Sequence, residues 1–232
     1  MTSRLDFVDF HTHILPEVDH GCDSVETALK QLRLAKGTGV GRVVLTPHFY
    51  PHVDNLEDFL KNRENAYTKL LEAMGDSLEY PDVRLGCEVL VCEGISKMPR
   101  IEEFCIKGTK TLLLELPFSD FSRKYVEDVE SLIDNGFDVV LAHADRYEHK
   151  NIDMLLSVGA KIQLNADSLS CIFIRRDIKR WLLGGYVVAV GSDIHMLNKL
   201  YYSNFRRACR YLSKNCVSVT EATDKIWDSS VK

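Results

Sequence analysis

A chain of 232 residues, 45% apolar and with a formal net charge of −5, suits one α/β-barrel-type domain with a sizeable core or two small ones, and is read here as a single domain spanning residues 1–232. Its mixed, mildly acidic charge offers no basic patch for nucleic acid. No apolar run approaches the roughly 20 residues that insert in a membrane, and Met1 to Asp6 lack a signal-peptide core. Seven scattered cysteines, odd in number and without a CxxC pair, fit reduced thiols in a cytoplasmic protein and disfavour a cysteine zinc site.

Along the chain, short apolar runs alternate with helical patterns. Phe7–Phe10 is the first run. Val25, Ala28, Leu29, Leu32 and Ala35 then recur at helical spacing, with a capping arrangement offered by Asp23 and Glu26 and an end marked by Gly37 and Gly39. Arg42–Leu45 is the second run, followed by a longer helix whose apolar face runs from Leu56 to Leu71. Val83–Val91 and Lys110–Leu116 are the third and fourth. A helix from Tyr125 to Ile133 closes at Gly136 and leads to the fifth, Phe137–Ala142. A short helix at Ile152–Val158 precedes the sixth, Lys161–Leu164. A basic helix at Ile174–Leu183 precedes the seventh, Val187–Val190. A helical region from Phe205 and a last helix from Thr220 to Trp227 close the chain. Runs that are apolar on both faces and alternate with helices predict a parallel sheet, and seven such units favour a barrel over an open doubly wound sheet.

The residues after each run carry the functional signal. His11-Thr12-His13 and Asp19-His20-Gly21 follow the first, and His48 the second. Glu88 lies in the third and Glu115 ends the fourth. His143-Ala144-Asp145-Arg146 follows the fifth, and Ser192-Asp193-Ile194-His195 the seventh. In α/β barrels the strand C-termini converge on one face, where active sites lie. Singly, a histidine after a strand is ordinarily a hydrogen-bonded surface group, and a glutamate in an apolar strand a salt-bridged one. Gathered on one rim, these imidazoles and carboxylates would repel or protonate unless divalent cations compensated them. In an extended segment residues i and i+2 point the same way, so both rings of the HxH pair can reach one ion. Mixed nitrogen and oxygen donors suit Zn, Mn or Fe better than Mg or Ca alone. His52 and His149 sit in polar loops and are read as solvent-exposed, while Cys22 and Cys87 are read as small core residues.

At these residues the chain resembles the polymerase-and-histidinol-phosphatase (PHP) family, and most of all its branch of bacterial tyrosine-protein phosphatases linked to capsule and exopolysaccharide synthesis. The motifs are Asp-Phe-His-Thr-His-Ile-Leu-Pro (9–16), Thr-Pro-His (46–48), Gly-Cys-Glu (86–88), Leu-Glu-Leu-Pro (114–117), Ala-His-Ala-Asp-Arg-Tyr (142–147), Gln-Leu-Asn-Ala (163–166) and Gly-Ser-Asp-Ile-His (191–195). The resemblance implies a distorted seven-stranded (β/α)7 barrel of the PHP type holding two to three divalent transition ions (Mn, Fe or Zn). It implies one ion on His11, His13, Glu88 and Asp193, and a second sharing Glu88 with Glu115 and His143. A third would sit on His48, His195 and either Asp19 or His20, with Arg146 as the phosphate-contacting arginine. The implied reaction is metal-assisted phosphomonoester hydrolysis, with an activated water as nucleophile and Asp145 or the His195 region as proton source. The implied partner is the phosphotyrosine-bearing tail of a bacterial tyrosine kinase, and a homo-oligomer is left open. A histidinol-phosphate phosphatase and a non-catalytic metal-binding regulator are the alternatives. Three departures bear on the substrate. Asp19-His20-Gly21 stands where the family has Asp-Asp-Gly, and Ala166-Asp167-Ser168 where it often has Ser-Ser-His. Asn198-Lys199-Leu200 stands where relatives place an arginine.

Overall fold

The computed structural model describes residues 7–118, 121–171 and 173–229, so residues 1–6, read above for a leader, lie outside it. Strands β1 (Phe7–Thr12), β2 (Val40–Leu45), β3 (His48–Phe49), β4 (Asp82–Leu85) and β5 (Glu88–Leu90) come first. β6 (Thr111–Glu115), β7 (Asp138–Leu141), β8 (Lys161–Asn165) and β9 (Val187–Gly191) follow. They form two sheets, β1-β2-β4 and β3-β5-β6-β7-β8-β9, parallel throughout.

Seven continuous strands closing one barrel were expected, and the ladders depart from this. The second run lies within β2, and a separate short strand, β3, follows it past Thr46-Pro47; the third run divides around Gly86-Cys87. Pro47 has no N–H to give a ladder. At Gly86 the neighbouring strand comes so close that a β-carbon would lie 3.2 Å from Val44 Cγ1. Backbone bonds still cross the breaks: Gly86 N donates to Leu45 O at 2.8 Å, and Glu88 N to Pro47 O at 3.0 Å. Beyond the end of β9, Asp193 N donates to His11 O at 2.9 Å and His13 N to Ile194 O at 3.0 Å, around one bridge pair, Thr12 with Ile194. These are too few for a ladder, so the described residues form two open sheets.

The strands are buried on both faces because alternate side chains enter different apolar clusters. Val8, Phe10, Val44, Leu113, Val140 and Ala189 form a small one drawn from both sheets. Val43, Leu45, Leu112, Leu114, Val139 and Leu141 join the large one, which includes the helices. The helices are α1 (Val25–Gly37), α2 (Leu56–Met74), α3 (Arg123–Asp134), α4 (His149–Ser157), α5 (Ala166–Ser170), α6 (Arg176–Leu183), α7 (Lys199–Asn215) and α8 (Val217–Asp228). Three differ from expectation. Ser24, not Asp23, caps α1, its hydroxyl accepting from Thr27 N at 3.2 Å. α5 forms directly after β8, on the Ala166-Asp167-Ser168 segment. α7 starts at Lys199, six residues before Phe205, because Asn198 caps it. Cys22 and Cys87 are buried as expected, and the Cys87 thiol donates to Pro47 O at 3.1 Å. Among the described residues no helix is long and apolar enough to cross a membrane.

Candidate metal centre

The ends of β1, β7 and β9 and the short β3 and β5 converge on one pocket because a parallel sheet presents all its C-termini on one side. His11, His13, His48, Glu88, Glu115, His143 and Asp193 are all buried there, and His195 is half-buried. Glu88 is the hub. Its Oε1 lies 2.8 Å from His143 Nε2. Its Oε2 lies 2.9 Å from His48 Nδ1, 3.1 Å from His11 Nε2 and 3.3 Å from His13 Nε2. Asp193 Oδ1 is 3.3 Å from His13 Nε2, and Glu115 approaches His143 at 3.5 Å and His48 at 3.7 Å. Three groups have donor atoms mutually within 4.8 Å: His11, His13 and Glu88; His48, Glu88 and Glu115; His13, His48 and His195.

Second neighbours settle which ring nitrogens carry protons. Gln163 Oε1 lies 2.7 Å from His143 N and Gln163 Nε2 2.7 Å from Leu164 O. A backbone N–H only donates and a carbonyl only accepts, so the amide orientation is fixed. The 3.2 Å contact from His11 Nδ1 to the same Oε1 then requires a proton on Nδ1, leaving a lone pair on His11 Nε2. In the same way Asp19 Oδ2 accepts from His13 Nδ1 at 2.7 Å, leaving His13 Nε2 to face His11 Nε2 at 3.1 Å. Two imidazole nitrogens so opposed demand a positive charge between them, a proton or a metal ion. Burial lowers the His13 pKa, but the bonds to Asp19, Asp193 and Glu88 more than offset it, which is the same demand in another form. Burial raises the Asp193 carboxyl, yet the charges of His11, His13 and Arg146 hold it well below the usual carboxylate range. His195 is pushed down to about 4, by burial and by the charge of His13. Buried Glu88 Oε2 and His48 Nδ1 make no hydrogen bond of acceptable geometry although 2.9 Å apart, and buried His143 Nδ1 has no hydrogen-bond partner among the described residues. A donor set so crowded and unsatisfied fits divalent cations.

The expected residues assemble, with three adjustments. Both Asp19 oxygens are engaged, Oδ2 by His13 Nδ1 and His48 N (3.0 Å), Oδ1 by Gly21 N (2.8 Å), so Asp19 stands behind His13. A β-carbon at Gly21 would meet His13 Cβ and O at 2.5 Å, which explains the glycine after Asp19-His20. His20 lies exposed at the rim, its ring 4.9 Å from those of His48 and His195. Asp145 accepts from Asn165 N at 2.8 Å, which ties it to the end of β8. Arg146 is partly exposed and ion-paired with Asp193, its guanidinium lining two clefts of about 550 and 290 Å³. His143 and Asp193 hold left-handed backbone (φ 31° and 52°), strain that concentrates where side chains must be aimed.

Of the aromatic residues that follow the apolar runs, Phe49 is core, packed on Phe59 and Phe104 at 4.8 and 4.5 Å. Tyr50 stacks on His48, while Phe118 and Tyr147 lie over His143. His52 and His149 are exposed, as expected. Sequence reasoning assigned no role to Gln163 or to Asp9, whose Oδ1 accepts from Ser192 N at 2.8 Å and whose carboxyl burial raises to about 7. Polar residues inside the apolar runs Phe7–Phe10 and Lys161–Leu164 were the available signal.

Residues 7–226 match the family described as "Capsular polysaccharide synthesis, CpsB/CapC". The chain belongs to this family. That is the branch its motifs resemble. It is 25% identical over 201 residues to the tyrosine-protein phosphatase YwqE of Bacillus subtilis, covering 81% of this chain and 77% of that one. It is 24% identical over 211 residues to the tyrosine-protein phosphatase CpsB of Streptococcus pneumoniae (82% and 84% covered). A solved structure from work on YwqE and CpsB, described as unique metal-dependent tyrosine phosphatases, superposes with a TM-score of 0.74 at 21% identity. It covers 95% of this chain and 91% of that one, and at such identity it shows a shared fold.

Proposed function

We propose that this member of the capsule-synthesis family is a metal-dependent protein-tyrosine phosphatase, with phosphotyrosine in the tail of a capsule-synthesis kinase as substrate and the cytoplasm as its place of action. The observation that carries the reading is Glu88, a fully buried carboxylate within 3.3 Å of four imidazoles. We read the two sheets as one distorted seven-stranded barrel, supported by the backbone bonds across the breaks at Pro47 and Gly86 and by the Thr12–Ile194 bridge.

Two to three ions of Mn, Fe or Zn would be held by His11, His13, Glu88 and Asp193, by Glu88, Glu115, His143 and His48, and by His48 and His195 with His20 at the rim. Such ions supply a hydroxide nucleophile near neutral pH and neutralise phosphoryl charge. The protein's own groups do the rest. Gln163 and Asp19 fix the His11 and His13 tautomers so that Nε2 points inward. Arg146, partly exposed beside the pocket, pairs with phosphoryl oxygens through its planar fork. Phe118 and Tyr147 border the substrate ring. In the net reaction the oxygen of water bonds to phosphorus, the bond from phosphorus to the tyrosyl oxygen breaks, and a proton from water ends on the released phenol. A phenolate leaves more readily than an alkoxide, so phosphoserine is the poorer substrate.

The test measures metal content and kcat/KM for a phosphotyrosine peptide, a phosphoserine peptide and histidinol phosphate at equal metal loading. The reading expects bound transition metal, activity lost on chelation and restored by Mn, and preference for phosphotyrosine. Full activity in metal-free protein refutes the metal-dependent reading, and a clear preference for histidinol phosphate refutes the substrate.

A further inference from the structure

The larger cleft beside Arg146 extends beyond Phe118, Tyr147 and Arg146, the lining residues that the hydrolytic reading uses. One side comes from residues 116–118 with Phe121 and Arg123, the other from the turn before α4 and from α4 itself, and about 550 Å³ lies between them. Its inner end is aromatic. Phe118 and Tyr147 lie 5.7 Å apart, and both rings sit over His143, at 6.5 and 5.6 Å. Phe118 is 74% exposed, and a phenylalanine so placed at the mouth of a pocket is a ready contact surface.

Its outer end is cationic. Arg123, Arg146 and Lys150 line the cleft against one carboxylate, Glu148, although the chain as a whole carries −5. Arg123 is exposed and makes no ion pair among the described residues. Lys150 meets Glu148 at 2.7 Å, but both side chains are about two-thirds exposed, and such surface pairs are weak and exchange readily. Arg146 links the two ends, since it also reaches Asp193 of the metal centre.

Resting on the phosphatase reading above, we infer that this cleft is a specificity site for acidic side chains flanking the phosphotyrosine of a peptide substrate. The phosphate lies at the metal centre and Arg146, the ring lies against the Phe118–Tyr147 pair, and Asp or Glu a few residues away lies against Arg123 and Lys150. Complementary charge at a rim acts mainly on encounter and partner choice and is screened by salt. The effect therefore falls on KM and fades as ionic strength rises.

The experiment compares manganese-loaded protein on three phosphotyrosine peptides that differ only in flanking residues (Asp/Glu, Ala or Lys), with p-nitrophenyl phosphate as the flank-free reference. The acidic peptide should exceed the lysine peptide about tenfold in kcat/KM at low salt, chiefly through KM, and the gap should close at high salt. The double substitution Arg123→Glu with Lys150→Glu, at two exposed positions outside the metal centre, should reverse the order of the peptides. It should leave p-nitrophenyl phosphate turnover within about twofold, which also reports that the protein is folded. Equal kcat/KM for the three peptides, with p-nitrophenyl phosphate hydrolysed normally, overturns the cleft assignment and leaves the phosphatase reading intact. Failure to hydrolyse any phosphoester overturns that reading, and the cleft assignment falls with it.

Discussion

Replacing Gln163 with leucine removes a group that four others depend on. Gln163 is fully buried. Its Oε1 accepts from His143 N and His11 Nδ1, while its Nε2 donates to Leu164 O and, at 3.1 Å, to Asn165 Oδ1. Leucine is close in volume, so little cavity forms and the loss is polar. Two buried donors, the His143 amide and the His11 ring N–H, are left without acceptors at about 1–3 kcal/mol each, or roughly 2–6 kcal/mol together. Against a total stability of about 5–15 kcal/mol, that shifts a denaturation midpoint plainly without abolishing folding. The His11 tautomer is also released, and loss of such an outer partner lowers metal affinity about 10- to 100-fold. Urea denaturation of the metal-free protein measures the first effect, and metal titration of the folded protein the second. Gln163→Glu keeps an acceptor for both donors and should recover part of the stability. A Gln163→Leu variant within about 0.5 kcal/mol of wild type and with unchanged metal affinity would show that Gln163 only fills space.

Other perturbations separate neighbouring roles. Arg146→Ala should lower kcat/KM by an order of magnitude or more with metal content unchanged, and Arg146→Lys should rescue poorly for want of the planar fork; wild-type rates in the alanine variant would make the Asp193 ion pair merely structural. Asp19→Ala should destabilise the fold, because His13 Nδ1, His48 N and Gly21 N lose their acceptor. Exposed His20 should tolerate alanine in stability but lose metal occupancy at the rim, and His20→Asp should shift preference toward harder ions such as Mn, both read by metal analysis. Asp9 binds its proton more tightly folded, with a pKa raised to about 7, than unfolded, with an ordinary pKa near 3.8. The folded state therefore binds more protons between these values, so wild-type stability should fall as pH rises from about 4 to 7 relative to Asp9→Asn, which cannot ionise. Denaturation of both metal-free proteins across that range checks the sign, and parallel curves would show that Asp9 does not titrate there.

Local signals in the chain carried much of this protein. The alternation of apolar runs with helical patterns specified a parallel α/β fold, because a run such as Leu112–Leu114 can be apolar on both sides only where both sides are covered. The placing of His11, His13, Glu88, Glu115, His143 and Asp193 at the ends of such runs specified a metal-type pocket, since parallel strands bring their C-termini together whatever their exact pairing. Capping at Ser24 in place of Asp23 differs from expectation by one residue, because neighbouring polar residues compete for the cap, whereas α7 starts six residues early because Asn198 caps it. What the tertiary structure alone decided depends on distances between residues remote in the chain. Gly86 stands where β4 comes closest to Val44 of β2, and Phe49 is core because α2 brings Phe59 over it. Asp19 turns behind His13 while His20 faces the rim, a choice between adjacent residues that only the fold of the turn could make. Gln163 stands 152 residues from the histidine whose proton it positions, a separation at which only the packed fold can pair the two.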